Sequence, residues 1–323
     1  MKTAIILHGT LGAPQGNWFQ WLKKELESRG LTVWLPELPQ ADQPSLHLWS
    51  KFIQKECPFT INEDTLIVGH SSGAILGLII AQKNMESIGG IVGVSVFHDN
   101  SLEWEPNSKL FDVHFEWDAI RATTKRLLFV HSDNDPYVPL EQAQFVANNC
   151  QAEIVVLPEQ GHFNLEKSES YREFPRLIEL MELRGLLHLT SFTYGSGDRE
   201  VSYIETIQVK DGVECDTYSF VGDDSQDLAI VRVAQGAATP RQRILKGEPT
   251  IEGFVSGKGR LIVERNGGEK ETFAVNDIDS KKTVITMQLS EIMQWQAATG
   301  SSLVFYEICK PPYEDGRFEN LAE

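Results

Sequence analysis

The hydrophobic positions in the first half of the chain form short continuous runs separated by amphipathic stretches. Six runs predict β-strands: 3-TAIILHG-9, 32-TVWLPEL-38, 65-TLIVGHS-71, 90-GIVGVSVF-97, 126-RLLFVHSD-133 and 152-AEIVVLPE-159. Helical periodicity predicts helices over residues 17–28, 46–56, 72–84, 117–124, 140–149 and 171–183. Because the strand-like runs do not alternate with polar residues, both faces of each strand are expected to be buried. The pattern predicts an α/β fold with a doubly wound, mostly parallel sheet.

The pattern changes near residue 184. Beyond it we find no long amphipathic helix, and short β-like runs separated by turn residues follow one another. Examples are 201-VSYIETIQV-209, 227-DLAIVRV-233, 260-RLIVE-264 and 302-SLVFYEI-308. Hairpin signals at this spacing predict an all-β sandwich or barrel. We therefore expect two domains, an α/β domain at 1–184 and a β domain at 185–323, as the length of 323 residues also favours.

Composition narrows the range of partners and compartments. The formal net charge of −17 argues against nucleic acid and anionic membranes as partners, because phosphates would be repelled. The four cysteines are scattered without a C-x-x-C pair, as expected of a protein in a reducing compartment. The apolar run 4-AIIL-7 is too short for a secretory signal, and no run is long enough to span a bilayer. The expected location is the cytoplasm.

One short stretch suggests a nucleophile. Residues 69-GHSSG-73 match G-x-S-x-G, follow a predicted strand and open a predicted helix. A nucleophile elbow needs this strand–turn–helix setting, with small residues beside the sharp turn. Ser71 would sit at the tip, and Ser72 would be the first helical residue, its N–H facing the same space. The alternative is that either serine merely caps the helix.

A serine nucleophile needs a base and an acid that orients the base. His162 follows the last predicted strand of the first domain, in the loop 160-QGHFN-164, and is the expected base. Asp135 lies just beyond the preceding strand, in a turn fixed by two prolines, and is the favoured acid; Asp133 is the alternative. His70 and His131 lie in or beside strands and are expected to serve packing.

An oxyanion hole needs two donors. The backbone N–H of Ser72 is one, and the loop 8-HGTLG-12 should supply the other from Thr10 or Leu11, which the sequence does not separate. For His8 we expect a structural role in anchoring this loop.

From residue 1 to about 183 the chain resembles the small α/β-hydrolases of the retinoblastoma-binding-protein-9 type. The motifs that carry the resemblance are 8-HGTLG-12, 17-NWFQWL-22, 34-WLPELP-39, 69-GHSSGA-74, 116-EWDAI-120, 133-DNDPYVP-139 and 160-QGHF-163. The resemblance implies a serine hydrolase with a Ser71–Asp135–His162 triad, no metal or other cofactor and almost no lid.

Aromatic residues near these motifs are candidates for the substrate pocket. Trp18 and Phe19 follow the oxyanion loop, whereas Phe97 and Trp117 come from the opposite side. Each could form a pocket wall. The alternative is ordinary packing, which the helical spacing of Trp18 and its neighbours also fits.

The region from about 202 to 323 resembles a cupin, a small β-barrel, through 227-DLAIVRVAQGAATP-240, 254-FVSGKGRLIVERNG-267 and the tail 302–321. Metal-binding cupins carry H-x-H, a glutamate and a late histidine. Here the H-x-H position reads 241-RQRI-244, and Glu248 and Glu252 lie out of register. We therefore expect a barrel without metal, serving to bind a small ligand, to shield the hydrolase site or to form a homodimer.

The expected function is cleavage of small esters or amides through an acyl-enzyme, with carboxylesterase, aminopeptidase and thioesterase activities all compatible with such a triad. The alternative is a non-catalytic binding or regulatory protein whose cupin senses a small ligand. An intact set of three separated residues argues against this alternative, because a protein without catalysis has no need to keep them.

Overall fold

A computed structural model describes residues 1–100, 106, 108–195, 197–280 and 283–322. The chain divides into two compact units, Met1–Leu187 and His188–Glu323. The strands of the first unit are β1 (Thr3–Leu7), β2 (Thr32–Trp34), β3 (Thr65–His70), β4 (Gly90–Val94), β5 (Leu127–Ser132) and β6 (Glu153–Leu157). Its helices are α1 (Phe19–Ser28), α2 (Leu46–Glu56), α3 (Ser72–Lys83), α4 (Trp117–Thr123), α5 (Leu140–Cys150) and α6 (Pro175–Leu183).

The first unit is built on a parallel sheet in the order β2-β1-β3-β4-β5-β6. One apolar cluster packs α2, α3, α4 and α5 against the sheet, and a second cluster packs α1 and α6. Every residue of β3 and β4 is buried, as the continuous apolar runs predicted. Because parallel strands end at one edge, the loops after β1, β3, β4, β5 and β6 lie side by side there.

The last helix of the first unit begins later than its periodicity predicts. A short 3-10 turn covers Glu169–Arg172, and α6 starts at Pro175. Proline is suited to the first turn of a helix, where its missing N–H has no helical partner, so the chain starts the helix there.

The second unit is all-β in its described residues. Its strands are β7 (Ser191–Tyr194), β8 (Gly197–Lys210), β9 (Val213–Phe220), β10 (Asp223–Val233), β11 (Arg241–Ile244), β12 (Thr250–Glu264), β13 (Lys270–Asn276), β14 (Val284–Met287), β15 (Ile292–Ala297), β16 (Leu303–Cys309) and β17 (Phe318–Leu321). The pairings between them are antiparallel. The prediction of a parallel α/β sheet followed by an all-β region is thus confirmed.

The long strand β12 organises the second unit. It pairs with β14 and β16 through its first half and with β13 and β15 through its second, with an irregularity between Phe254 and Ser256. Trp295 and Phe305 stack at 4.6 Å in the core. Glu252 is also fully buried there and accepts a hydrogen bond from Trp295 Nε1 at 2.8 Å. The core of this unit therefore encloses an ionisable group among its apolar side chains.

None of the helices in the described ranges combines the length and apolar character needed to cross a bilayer.

Candidate active site

Ser71 occupies the turn between β3 and α3 in a strained conformation, with φ 57° and ψ −127°. Its N–H donates to the carbonyl oxygen of Val94, at the end of β4, at 2.8 Å. A Cβ at Gly69 would lie 2.3 Å from the Gly73 oxygen, and a Cβ at Gly73 would lie 2.3 Å from the Leu7 oxygen. Only glycine fits at both positions, so this close packing holds the serine turn against the end of β1.

The side chains of Asp135 and His162 meet beyond the ends of β5 and β6. His162 Nδ1 lies 2.8 Å from Asp135 Oδ2 and 3.0 Å from Oδ1. The carboxylate is inaccessible to solvent, and the imidazole is nearly so. A buried carboxylate on Nδ1 fixes the imidazole with its proton on Nδ1, which leaves Nε2 as the basic nitrogen.

The Asp135 carboxylate is held by more than His162. Oδ1 accepts the N–H groups of Tyr137 at 2.9 Å and Val138 at 3.0 Å, and Oδ2 accepts the Ser95 hydroxyl at 2.8 Å. Burial on its own would raise the pKa of Asp135, but the hydrogen bonds from His162 and these donors hold that pKa below its usual value. The residue therefore stays charged and acts only as an acceptor.

The alternative acid, Asp133, has a different partner. It is exposed, and its Oδ1 accepts the N–H of Glu159 at 2.7 Å in the loop that follows β6. Ser132 Oγ accepts from Gln160 N at 2.8 Å, and Asn134 Oδ1 accepts from Gly161 N at 2.7 Å. Asp133 and its two neighbours thus hold the loop before His162, while Asp135 holds the ring.

Two aromatic residues fix the backbone at His162 from the other side. His70 Nε2 donates to the His162 carbonyl oxygen at 2.8 Å, and Trp18 Nε1 donates to the Phe163 carbonyl oxygen at 3.0 Å. Burial lowers the pKa of His70 to about 3, so the ring is neutral at physiological pH. The sequence predicted only packing for His70, and the structure adds a hydrogen bond that positions the imidazole loop.

A cavity of about 620 Å³ opens beside these residues. Ser71 and His162 line it, as do Thr10, Phe19 and Phe97.

Two predicted pocket residues lie elsewhere. Trp18 is fully buried, with its ring against Phe19 and Phe174, and Trp117 stacks on Phe115 at 4.6 Å. Neither belongs to the described wall of the cavity, so the prediction is corrected for both residues. Helical spacing marks a residue as buried without showing whether core or cavity covers it.

The loop after β1 lies against the serine turn, since a Cβ at Gly9 would be 2.9 Å from the Ser71 Cβ. The Thr10 N–H donates to Ser72 Oγ at 2.7 Å, and the Leu11 N–H donates to the Ala41 oxygen at 2.7 Å. Ser72 begins α3, so its own N–H has no acceptor within that helix and faces outward from the helix start.

His8 anchors the loop after β1. Its Nδ1 contacts the Gly9 oxygen at 3.0 Å, and its Nε2 accepts the N–H of Leu38 at 3.0 Å. Because an amide donates to Nε2, the ring proton resides on Nδ1 and the ring is neutral; burial lowers its pKa accordingly. These contacts describe the structural anchor expected of His8.

In the second unit, the stretch 241-RQRI-244, where the resemblance to cupins would place H-x-H, holds two ion-paired arginines. Arg241 forms an ion pair with Glu264, and Arg243 pairs with Glu319 at 2.9 Å. Across the described ranges, no cluster of three or more His, Cys, Asp or Glu side chains is arranged to hold a metal ion.

Comparisons with known proteins match the first unit. A protein-family model described as serine hydrolase matches residues 4–182. The chain is 27% identical over 182 residues to the serine hydrolase RBBP9 of Rattus norvegicus, covering 55% of this chain and 94% of the relative. It is equally 27% identical over 182 residues to the protein YdeN of Bacillus subtilis (strain 168), covering 56% of this chain and 94% of YdeN. The crystal structure of the ydeN gene product has a TM-score of 0.53 at 24% identity, covers 58% of this chain and 100% of its own, and shows the shared fold.

Proposed function

Since the chain belongs to the serine hydrolase family, we propose that it cleaves small esters or amides through an acyl-enzyme on Ser71, with His162 as base and Asp135 as the orienting acid. The observation that carries the proposal is the buried pair of His162 Nδ1 and Asp135, 2.8 Å apart, at the cavity that Ser71 also lines. Ser71 and His162 line one cavity, and the buried Asp135 carboxylate contacts His162 Nδ1, an arrangement that capping or packing roles would not require.

In the proposed reaction, Ser71 Oγ attacks the carbonyl carbon of the substrate while its proton passes to His162 Nε2. The carbonyl electron pair moves to the oxygen, which Ser72 N–H stabilises from the start of α3. Collapse of this intermediate expels the alcohol or amine, which takes the proton from His162. Water then repeats the sequence on the acyl-enzyme and releases the acid.

The protein holds this machinery in place before substrate arrives. The carboxylate of Asp135 keeps four donors, and the backbone at His162 is fixed by His70 and Trp18. Preorganised groups of this kind lower the barrier because they need no rearrangement when charge develops. This arrangement favours an active enzyme over a binding protein that has lost its chemistry.

For the second unit, we propose a cupin-like accessory barrel without metal. Antiparallel pairing throughout its described strands and the ion-paired arginines Arg241 and Arg243 at the histidine positions support this proposal. Elemental analysis of the purified chain checks it: stoichiometric transition metal that resists dialysis would contradict it.

A fluorophosphonate probe tests the hydrolase proposal. We expect stoichiometric labelling of the wild type, loss of labelling in Ser71→Ala and retention in Ser72→Ala, since only Ser71 supplies the attacking oxygen. Peptide mapping would place the label on Ser71. A wild type that neither reacts with the probe nor hydrolyses any of a panel of p-nitrophenyl esters and aminoacyl amides would favour the binding-protein alternative.

A further inference from the structure

Ser95, the first residue after β4, has a backbone conformation that glycine adopts more easily than serine. Its φ is 53°, in the left-handed region, where a side chain strains the backbone. The residue is fully buried, and its N–H donates to the Val130 carbonyl oxygen in β5 at 3.0 Å, so the surrounding fold imposes this conformation. Glycine would relieve the strain, and a strained serine beside a candidate active site therefore calls for a functional explanation.

The side chain of Ser95 is directed at the Asp135 carboxylate. Its hydroxyl donates to Asp135 Oδ2 at 2.8 Å, and the same oxygen lies 2.8 Å from His162 Nδ1. The other oxygen, Oδ1, accepts the backbone N–H groups of Tyr137 and Val138. Because a carboxylate rotates easily about its Cβ–Cγ bond, donors on both oxygens are needed to fix its plane. Among the described contacts, the Ser95 hydroxyl is the donor besides His162 that holds Oδ2.

The end of β4 also holds the turn that carries the proposed nucleophile. The carbonyl oxygen of Val94 accepts the Ser71 N–H at 2.8 Å, and the next residue is Ser95. Two consecutive residues therefore contact the Ser71 turn and the Asp135 carboxylate. Ser95 does not belong to the described wall of the cavity, so its influence on the reaction passes through Asp135.

We propose that Ser95 is a positioning residue of the hydrolase site, whose hydroxyl holds Asp135 Oδ2 against His162 Nδ1 during proton transfer. The inference rests on the proposed hydrolase function. As Ser71 Oγ bonds to the carbonyl carbon, its proton moves to His162 Nε2 and the ring becomes positive. Asp135 stays negative and Ser95 keeps its own proton, so the serine forms no bond with the substrate. The strained backbone after β4 is retained because it places this hydroxyl.

Two substitutions separate the hydroxyl from the strained backbone. Ser95→Ala removes the hydroxyl and keeps a side chain in the left-handed conformation, whereas Ser95→Gly removes the hydroxyl and relieves the strain. We expect kcat to fall about tenfold in both variants, with KM changed less than about threefold, because Ser95 does not line the cavity. Ser95→Gly should nevertheless melt at a higher temperature than Ser95→Ala.

The Asp135→Asn background distinguishes positioning from a general structural effect. Asparagine removes the charged oxygen to which the Ser95 hydroxyl donates. Adding Ser95→Gly to that background should therefore change kcat less than about twofold, since coupled residues are not additive. A structural role independent of Asp135 would cost the same factor in both backgrounds. The rate of fluorophosphonate labelling provides a second readout where turnover is slow.

Two control variants match the two changes at Ser95. Gln151→Gly places glycine at another residue with a φ of 53°, at the end of α5, and Ser50→Ala removes a buried serine hydroxyl that donates to the His47 carbonyl oxygen. Neither residue lies in the described cavity wall, so both variants should keep kcat within about twofold of the wild type. All variants are assayed in the full chain with p-nitrophenyl acetate, and thermal melts establish that each is folded.

Two results would overturn the inference and leave the proposed function standing. One is a folded Ser95→Gly that keeps more than about a third of the wild-type kcat. The other is a loss from Ser95→Gly that is equally large in the Asp135→Asn background. In either case the wild type is active and labelled on Ser71. Absence of both labelling and turnover in the wild type would reject the proposed function together with the role of Ser95.

Discussion

Replacing Asp135 with asparagine should disable His162, the proposed base, without disturbing the fold. Asp135 Oδ1 accepts two backbone N–H groups, from Tyr137 at 2.9 Å and Val138 at 3.0 Å. An amide nitrogen at that position would point its own N–H groups at these two backbone N–H groups. The asparagine oxygen must therefore remain there. The amide NH2 is therefore forced into the place of Oδ2, 2.8 Å from His162 Nδ1 and 2.8 Å from Ser95 Oγ.

The consequence falls on the tautomer of His162. An NH2 group facing Nδ1 donates to it, so the ring proton moves to Nε2 and the nitrogen that should accept the Ser71 proton loses its lone pair. In a protease with a Ser-His-Asp triad this substitution costs about 10⁴ in kcat. The same loss is expected here, equivalent to about 5.5 kcal/mol in the activation barrier.

The assay is kcat for a p-nitrophenyl ester, with Asp133→Asn as the matched control. Asp133 is exposed and accepts only the Glu159 N–H among the described contacts, so we expect its variant to keep kcat within about tenfold. Ser95 can turn to accept from the new amide, so thermal melts of Asp135→Asn should stay near the wild type. The tautomer argument is refuted if folded Asp135→Asn retains more than a tenth of wild-type kcat, or if Asp133→Asn is the more damaged variant.

Three further predictions follow from the surroundings of the site and from the second unit. His70→Phe removes the donor to the His162 carbonyl, so kcat should fall about tenfold with little change in KM; an unchanged kcat would contradict the anchoring role. Gly73→Ala places a Cβ 2.3 Å from a β1 carbonyl oxygen, and urea unfolding should show a loss of about 3 kcal/mol or more. Burial and the facing Glu307 raise the pKa of Glu252, so the folded state keeps this side chain protonated. The unfolded chain loses that proton above its ordinary pKa of about 4.3, and the free energy of unfolding therefore falls as pH rises from there towards the pKa of the folded state. Glu252→Gln should flatten that pH dependence in thermal melts, and a slope equal to wild type would count against it.

The sequence indicated those site residues that are marked by a motif close to them along the chain. A strand–turn–helix with glycines on both sides points to Ser71, and short loops after later strands point to Asp135 and His162, because each signal lies within a few residues of a strand end. Ser95 carries no such signal. It follows β4 like many other residues, and only the tertiary fold brings its hydroxyl to 2.8 Å from Asp135.

For the aromatic residues, the sequence predicts burial but not which of them line the cavity. The helical spacing of Trp18 and its neighbours fits burial, and Trp18 and Phe19 are both buried, yet only Phe19 reaches the cavity. In the second unit, β9 escaped prediction because its sequence 213-VECDTYSF-220 mixes acidic and hydroxyl side chains with apolar ones. The strand nevertheless buries Asp216, because the Arg232 guanidinium lies 2.6 Å from its carboxylate and offsets the cost of burying the charge. No local sequence pattern reveals that partner.

The loop that carries His162 links these observations. It has no regular secondary structure from the end of β6 to the 3-10 turn at Glu169–Arg172, so its own backbone does little to fix the imidazole. Side chains from elsewhere in the fold hold this loop instead. Ser132, Asp133 and Asn134 accept backbone N–H groups of the loop before His162. His70 and Trp18 donate to the carbonyl oxygens of His162 and Phe163. The proposed catalytic geometry therefore depends on residues that are not part of the proposed triad. Substitutions among them should lower kcat while leaving Ser71 able to react with the probe.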